Sequence, residues 1–490
     1  MISLMANHTL SNADLLVRSL SAVWHPCSQM KHYESFPLVP VARGRGVWLY
    51  DHDGKRYLDA VSSWWVNLFG HCNPRINAAL REQLETLEHA MLAGFTHEPV
   101  VRLSERLREL APVGLGHCFY GSDGASATEI ALKMSAHYWR NSGQPDKTQF
   151  ISLENSYHGE TLGALSVTDV ALFRDAYGAL IRQQATVPSP DWRKAGPGES
   201  AEAYALRCAA ALERHLQQHH AQLAAFIVEP LVQGAAGMAM YHPVYLSRAR
   251  ELCDAYGVHL IADEIAVGMG RSGTLFACEQ APSLSLTLSR KGRGNESSGA
   301  FPPSASLGSP FPQAGEGTGE RDAGKGITPD FLLLSKGITG GYLPLSVVMT
   351  TDEIYRVFYA DETARGFLHS HSYTGNPLAC RAALATLDIF AQDDVLAANR
   401  SKAASLNAMA RPLSEHPAVR NWRNTGMIWA FEVNVPQRDF AQRCFSLALQ
   451  NELLLRPIGN TVYFMPPYVI EEEEIQLLVT RTQDVVEKLA

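Results

Sequence analysis

The sequence predicts an α/β fold: a large, mostly parallel sheet with a smaller α+β part. Three observations point to it. First, short apolar runs recur through the middle of the chain, at His117–Tyr120, Phe150–Leu153, Ala224–Val228, Val258–Ala262 and Phe331–Leu334. Runs this short and this apolar are expected of strands buried on both faces of a parallel sheet. Second, helical patterns lie between them. In Ala125–Arg140, Ile130, Met134 and Tyr138 repeat every four residues, and Pro243–Tyr256 has Pro at its start and Gly257 past its end, the usual start and stop signals. Strand–helix alternation argues a sheet of parallel strands. Third, each run is followed by a polar or glycine-rich turn: Ser122-Asp-Gly-Ala-Ser126, Asn155-Ser-Tyr-His-Gly159, Glu229-Pro230, Asp263-Glu264 and Ser335-Lys-Gly337. In open α/β sheets ligands bind beyond the carboxyl ends of the strands. Five such turns therefore describe one site.

At 490 residues the chain is long enough for two or more domains. Residues 66–343 are expected to form the large domain and 344–490 a smaller one. Its helical pattern Pro377–Phe390 precedes strand-like pieces at Met427–Val433 and Thr461–Phe464. Residues 1–65 contain a hairpin-like stretch from Gly46 onward and should pack on that smaller domain. Residues 282–325 differ in kind. About half are Gly, Ser or Pro, without apolar periodicity, and they read as a flexible insertion that does no chemistry.

Composition narrows the function. Hydrophobic content of 46% and charge of 19% suit a globular protein. A net charge of −8 gives no basic footprint for nucleic acid. Acidic substrates would need local arginines. Eight cysteines occur without a CxxC, which supports neither a zinc ribbon nor a thioredoxin motif. A reducing, cytoplasmic home is expected, with no signal peptide and no membrane span.

The chemistry is concentrated at two charges. Lys336 closes the run Phe331–Leu334 and precedes Gly337; Asp263 closes Val258–Ala262. A lysine and an aspartate at the ends of buried strands are costly without a partner. A pyridoxal phosphate site uses both, the lysine as a Schiff-base former and the aspartate to keep the ring nitrogen protonated. Ser122-Asp-Gly-Ala-Ser126 opens a helix after a strand, where free N–H groups favour a phosphate; an ordinary capped helix start is the alternative. Tyr157 could stack on a pyridine ring or be a loop tyrosine. Gly268-Met-Gly-Arg-Ser-Gly273 matches the dinucleotide fingerprint by letter, but it does not open a helix directly after a strand and reads as a loop. His369 and His371 lack an acidic or cysteine partner nearby, so no metal site is expected. Arg456 could clamp a carboxylate or form a surface ion pair.

These residues carry a resemblance to the class III, fold-type I pyridoxal phosphate aminotransferases over nearly the whole chain outside 282–325. Ile261-Ala-Asp-Glu-Ile265, Gly270-Arg-Ser-Gly273 and Ser335-Lys-Gly337 mark the general class. Trp24-His-Pro26, Ser62-Ser-Trp-Trp65, Tyr157-His-Gly159, Gly375-Asn-Pro-Leu-Ala379, Arg456-Pro457 and Tyr463-Phe-Met-Pro-Pro467 are similar to the subgroup that aminates 8-amino-7-oxononanoate in biotin synthesis. The resemblance implies a homodimer with a seven-stranded-type sheet and small-molecule substrates. It implies that Lys336 carries the cofactor and moves the proton, that Asp263 pairs with the ring nitrogen, and that Gly124 and Ala125 bind phosphate. His371 and Ser372 would add cofactor contacts, Ser372 reaching the phosphate from the second subunit. Trp64, Tyr157 and Ser370 would line the substrate pocket, and Arg456 would bind the keto acid's carboxylate. The expected amino donor is S-adenosylmethionine. Ser370-His-Ser372 replaces the Gly-Pro-Thr of adenosylmethionine users and occurs in relatives that use lysine, the alternative donor. Cys27 stands where an aromatic residue is usual. The family joins the Asp and Lys elements by a short connection, where this chain has 282–325. Ornithine, 4-aminobutyrate and ω-amino acid aminotransferases share the scaffold; Trp64-Trp65 and Arg456-Pro457 speak against them.

Overall fold

The computed structural model describes residues 11–36, 38–282, 326–435 and 439–490. Its centre is a seven-stranded sheet of β1 (Leu115–Gly121), β2 (Gln149–Leu153), β3 (Ala185–Val187), β4 (Leu223–Val228), β5 (His259–Asp263), β6 (Phe331–Leu334) and β7 (Ser346–Thr351). The order across the sheet is β1-β7-β6-β5-β4-β2-β3. β7 runs antiparallel to β1 and β6, and the other neighbours pair in parallel. The five apolar runs are thus β1, β2, β4, β5 and β6, and the α/β expectation holds.

The period-2 geometry of a strand explains why these runs are apolar throughout. Phe226, Val228, Leu260, Ala262, Leu332 and Leu334 face one core cluster. Their neighbours Ala225, Ile227, Ile261, Phe331 and Leu333 face another, with Ile130, Met134 and Tyr138 of the helix Gly124–Asn141. Helices Ala201–His219 and Val244–Tyr256 supply residues to the first face. Val244–Tyr256 ends at Gly257, whose φ of 61° is the left-handed cap that glycine adopts without a Cβ penalty.

β3 and β7 were not read from the sequence. β3 has three residues, too few for a periodic signal. β7 corrects the expected boundary at 343/344: this strand lies between β1 and β6, so residues 344–351 belong to the large sheet. The remaining C-terminal strands Val419–Thr425, Ile428–Val433 and Thr461–Phe464 form an antiparallel sheet. The N-terminal strands Val41–Arg45, Trp48–Asp51 and Arg56–Asp59 form a meander joined by Leu453–Leu454, which pairs in parallel with Arg56–Asp59. Trp48 Nε1 also donates to Glu474. The N-terminal segment is therefore tied to the C-terminal part by backbone and side chains.

Of the insertion 282–325, only Pro282 is among the described residues. Its two flanks meet: Ile327 N–H donates to Cys278 O at 3.2 Å. Among the described residues no helix is long and apolar enough to cross a membrane.

Candidate active site

The turns after β1, β2, β4, β5 and β6 all open into one cavity of about 580 Å³. Its lining includes Ser122, Asp123, Gly124 and Ala125 from the first turn and Tyr157, His158, Gly159 and Glu160 from the second. Glu229, Asp263, Ser335 and Lys336 come from the other three. Lys336, Asp263, Tyr157, Gly124 and Ala125 are therefore brought together from positions as far apart as 124 and 336.

Lys336 sits at φ 45°, a left-handed conformation rare for a residue with a Cβ. Burial pushes its ammonium below the ordinary lysine value, opposed by the charges of Asp263 and Glu229. Its Nζ lies 5.4 Å from the centre of the Trp65 ring. Asp263 is 4% exposed. One carboxylate oxygen accepts from Ile265 N–H at 3.1 Å; the other lies 2.6 Å from His158 Nδ1. His158 Nε2 is buried and has no partner. A carboxylate accepts only, so Nδ1 carries the proton.

Glu229 is the second buried carboxyl of the cavity. It accepts from Tyr157 N–H at 3.1 Å and from Gly234 N–H at 2.9 Å, which fixes the Tyr157 turn to the end of β4. Burial first, and Asp263 after it, push its pKa up to about 7. Tyr157 donates its hydroxyl to Glu160 at 2.8 Å.

The helix Gly124–Asn141 points its N-terminus into the cavity. Asp123 caps it by accepting from Ser126 N–H at 2.9 Å, leaving the first N–H groups of the helix without intrahelical partners. Gly159 packs against this turn. A Cβ there would lie 2.6 Å from Ala125 Cβ, at φ 123°, so the close approach needs glycine.

The Ser62–Trp65 turn is unusual. φ is 51°, 46°, 71° and 73° at Ser62, Ser63, Trp64 and Trp65, a left-handed turn without glycine that costs roughly 1–2 kcal/mol per residue. Asp59, 0% exposed, holds it. Asp59 accepts from Ser63 N–H at 2.9 Å and from Ser63 Oγ at 2.8 Å, and lies 3.0 Å from His71 Nε2. Ser62 Oγ donates to Met465 O and Trp65 Nε1 to Tyr463 Oη. The turn splits the tryptophan pair. Trp65 lines the cavity, whereas Trp64 is exposed and carries the Arg456 guanidinium 4.2 Å above its ring. Arg456 is exposed as well. Its charge reaches the Cys27 thiol, which burial and Glu160 push up and Arg456 pulls down. Cys27, Arg456 and Glu160 thus stand within electrostatic reach of one another.

Ser370 and Ser372 are exposed, and neither they nor His371 line the cavity. His371 Nδ1 instead lies 3.0 Å from Ser122 Oγ, and its Nε2 3.1 Å from His369 Nε2. The Gly268–Gly273 loop holds Arg271, 1% exposed, which donates to Asn67 O and Pro466 O and so ties the loop to the segment after the Ser62–Trp65 turn and to the C-terminal part. Sequence reasoning did not single out His158, Glu229, Trp65, Glu160, Asp59 or Arg271 for these roles.

The model of the aminotransferase class-III family matches residues 29–309 and 313–486. The chain is 41% identical over 484 residues to a Helicobacter pylori protein named adenosylmethionine-8-amino-7-oxononanoate aminotransferase, covering 97% of this chain and 98% of that one. The crystal structure of the Methanocaldococcus jannaschii protein of the same name superposes with a TM-score of 0.83 at 31% identity, over 97% of this chain and 99% of that one. An amine transaminase from an uncultivated Pseudomonas species, solved in its PLP-bound form, gives 0.81 at 29% identity over 96% and 99%. This chain therefore belongs to the class III aminotransferases and is a pyridoxal phosphate-dependent enzyme.

Proposed function

We propose that the protein transfers an amino group from S-adenosylmethionine to 8-amino-7-oxononanoate, giving 7,8-diaminononanoate for biotin synthesis. The observation that carries this reading is the match along nearly the full chain to relatives of that name. The cofactor site fits the group. The cavity holds a lysine whose ammonium is depressed by burial, a buried aspartate with one oxygen held by a histidine, and a helix N-terminus kept open by Gly124 and Gly159. When bound, pyridoxal phosphate supplies an electron sink that stabilises negative charge at the substrate's α-carbon.

The chain supplies the rest. Lys336 would hold the cofactor through its aldehyde, and its amine would carry the proton at the substrate's α-carbon. Its lowered pKa keeps a larger share of it in the basic form. Asp263, oriented by His158, would hold the proton on the ring nitrogen. Gly124 and Ala125 would hold the phosphate with their N–H groups. Trp65 and Tyr157 close the cavity walls and exclude water. Arg456, held flat over Trp64, binds the carboxylate of the keto acid with its fork of donors. Ser372, exposed in one chain, reaches the cofactor phosphate of a second copy in a cytoplasmic homodimer, and Ser370 contributes to the substrate pocket.

The run Ser370-His-Ser372 favours a second reading, the same product with lysine as donor. The two separate in a half-reaction. Adenosylmethionine added to the loaded protein should bleach the visible cofactor band within the first turnover, and lysine should not. Bleaching by lysine alone would reverse the donor. Bleaching by β-alanine alone would replace the proposal with an ω-amino acid aminotransferase.

A further inference from the structure

We propose that Lys133, His369, His371 and Ser122 form a one-way hydrogen-bond relay that turns the Ser122 hydroxyl into a dedicated donor for the cofactor phosphate. The inference rests on the cofactor site proposed above and adds residues that do not line the cavity.

The contacts run in series. Lys133 Nζ lies 2.8 Å from His369 Nδ1, His369 Nε2 lies 3.1 Å from His371 Nε2, and His371 Nδ1 lies 3.0 Å from Ser122 Oγ. Each ring nitrogen alone could donate or accept. The series removes the choice, because a lysine ammonium has donors and no acceptor. Lys133 must donate, so His369 Nδ1 accepts and His369 Nε2 carries the proton. His369 Nε2 then donates to His371 Nε2, which leaves the His371 proton on Nδ1. His371 Nδ1 donates to Ser122 Oγ. The serine oxygen is thereby occupied as an acceptor, and its own proton is free. Ser122 is the one member of the series that lines the cavity, next to Gly124 and Ala125, where the helix N-terminus favours an anion. Chained hydrogen bonds polarise one another in one direction.

The scaffold holds the rings in place. His369 stacks on Phe367 with centroids 5.7 Å apart. Thr374 Oγ1 accepts from His371 N–H at 3.0 Å. Burial, Lys133 and His371 all lower the His369 pKa, in keeping with a neutral ring that accepts from Lys133 and donates to His371. Lys133 and His371 are accordingly positioning residues, since they act through Ser122.

The test compares two ligands of the cofactor-free protein: pyridoxal phosphate and pyridoxal, which lacks the phosphate. His371→Phe and Lys133→Met should each weaken pyridoxal phosphate binding by roughly threefold to tenfold, the scale of one hydrogen bond, and leave pyridoxal binding unchanged. In a Ser122→Ala background neither change should cost anything more. Equal loss for both ligands, no loss for either, or an undiminished loss in the Ser122→Ala background would overturn the relay. Nitrogen-15 histidine spectra of the unaltered protein give an answer that does not depend on any variant folding. They should show the proton on Nε2 of His369 and on Nδ1 of His371; the opposite tautomers would refute the direction. A protein that binds pyridoxal but not its phosphate would remove the phosphate site, and the relay with it.

Discussion

Lys336 and Asp263 stand out in the sequence because each puts a charge at the end of an apolar run, where burial is costly, and both line the same cavity. Lys336→Ala should leave the fold intact, abolish transamination and prevent borohydride from fixing the cofactor to the protein, as read by mass spectrometry. A cofactor adduct on another lysine would reassign the role. His158 and Glu229 were not legible, because their roles depend on strand register. His158 meets Asp263 across 105 positions of sequence, and Glu229 meets Tyr157 across 72. Buried carboxyls also set a pH dependence. Burial pushes Glu264 up to about 7, against the hydrogen bonds it accepts from Ala277 and Cys278. Its folded value lies above its unfolded one, so the folded state holds the proton more tightly. The stability this group contributes is full below about pH 4.5 and is lost as pH rises toward 7. Glu229 acts in the same window. Glu264→Gln should therefore flatten the fall in stability between about pH 5 and 7.5 by roughly 1–3 kcal/mol, measured by urea unfolding at each pH. A slope equal to that of the unaltered protein would contradict the raised value.

At the scale of elements, apolar runs and caps located the strands well because burial on both faces leaves a simple pattern. The pattern fails where an element is short, as in β3, or where local geometry defies propensity. The Ser62–Trp65 turn is the clearest case. Nothing in the letters Ser-Ser-Trp-Trp announces four successive left-handed residues, which persist only because Asp59 and Met465 hold them from outside. The family resemblance implied Trp64 as a pocket residue; in the structure the turn delivers Trp65 to the cavity and Trp64 to Arg456. Asp59→Ala should release the turn. It should cost about 2–4 kcal/mol of stability, the scale of a broken buried network, and raise the KM for the keto acid by misplacing Arg456. Unfolding curves and steady-state kinetics check both parts. An unchanged KM would separate Arg456 from the turn.

For the whole molecule, the alternation of elements foretold the sheet, and the convergence of five turns foretold one cavity. The boundary at 343/344 failed because β7 returns to the large sheet after the Lys336 turn, and no change of composition marks that return. Sharing of sites between two copies is testable with hybrids. Lys336→Ala and Ser372→Asp subunits, each inactive alone, should regain about a quarter to a half of the activity per site when exchanged, if Ser372 serves the partner's cofactor. Exchange without recovery would confine each site to its own chain. The central claim, a pyridoxal phosphate enzyme that aminates 8-amino-7-oxononanoate, has a more direct test. The protein is first converted by an amino donor until the visible cofactor band is lost, and excess donor is removed. Adding 8-amino-7-oxononanoate should restore the band and release 7,8-diaminononanoate in equal amounts. Restoration by pyruvate or 2-oxoglutarate, with none by 8-amino-7-oxononanoate, would contradict the account.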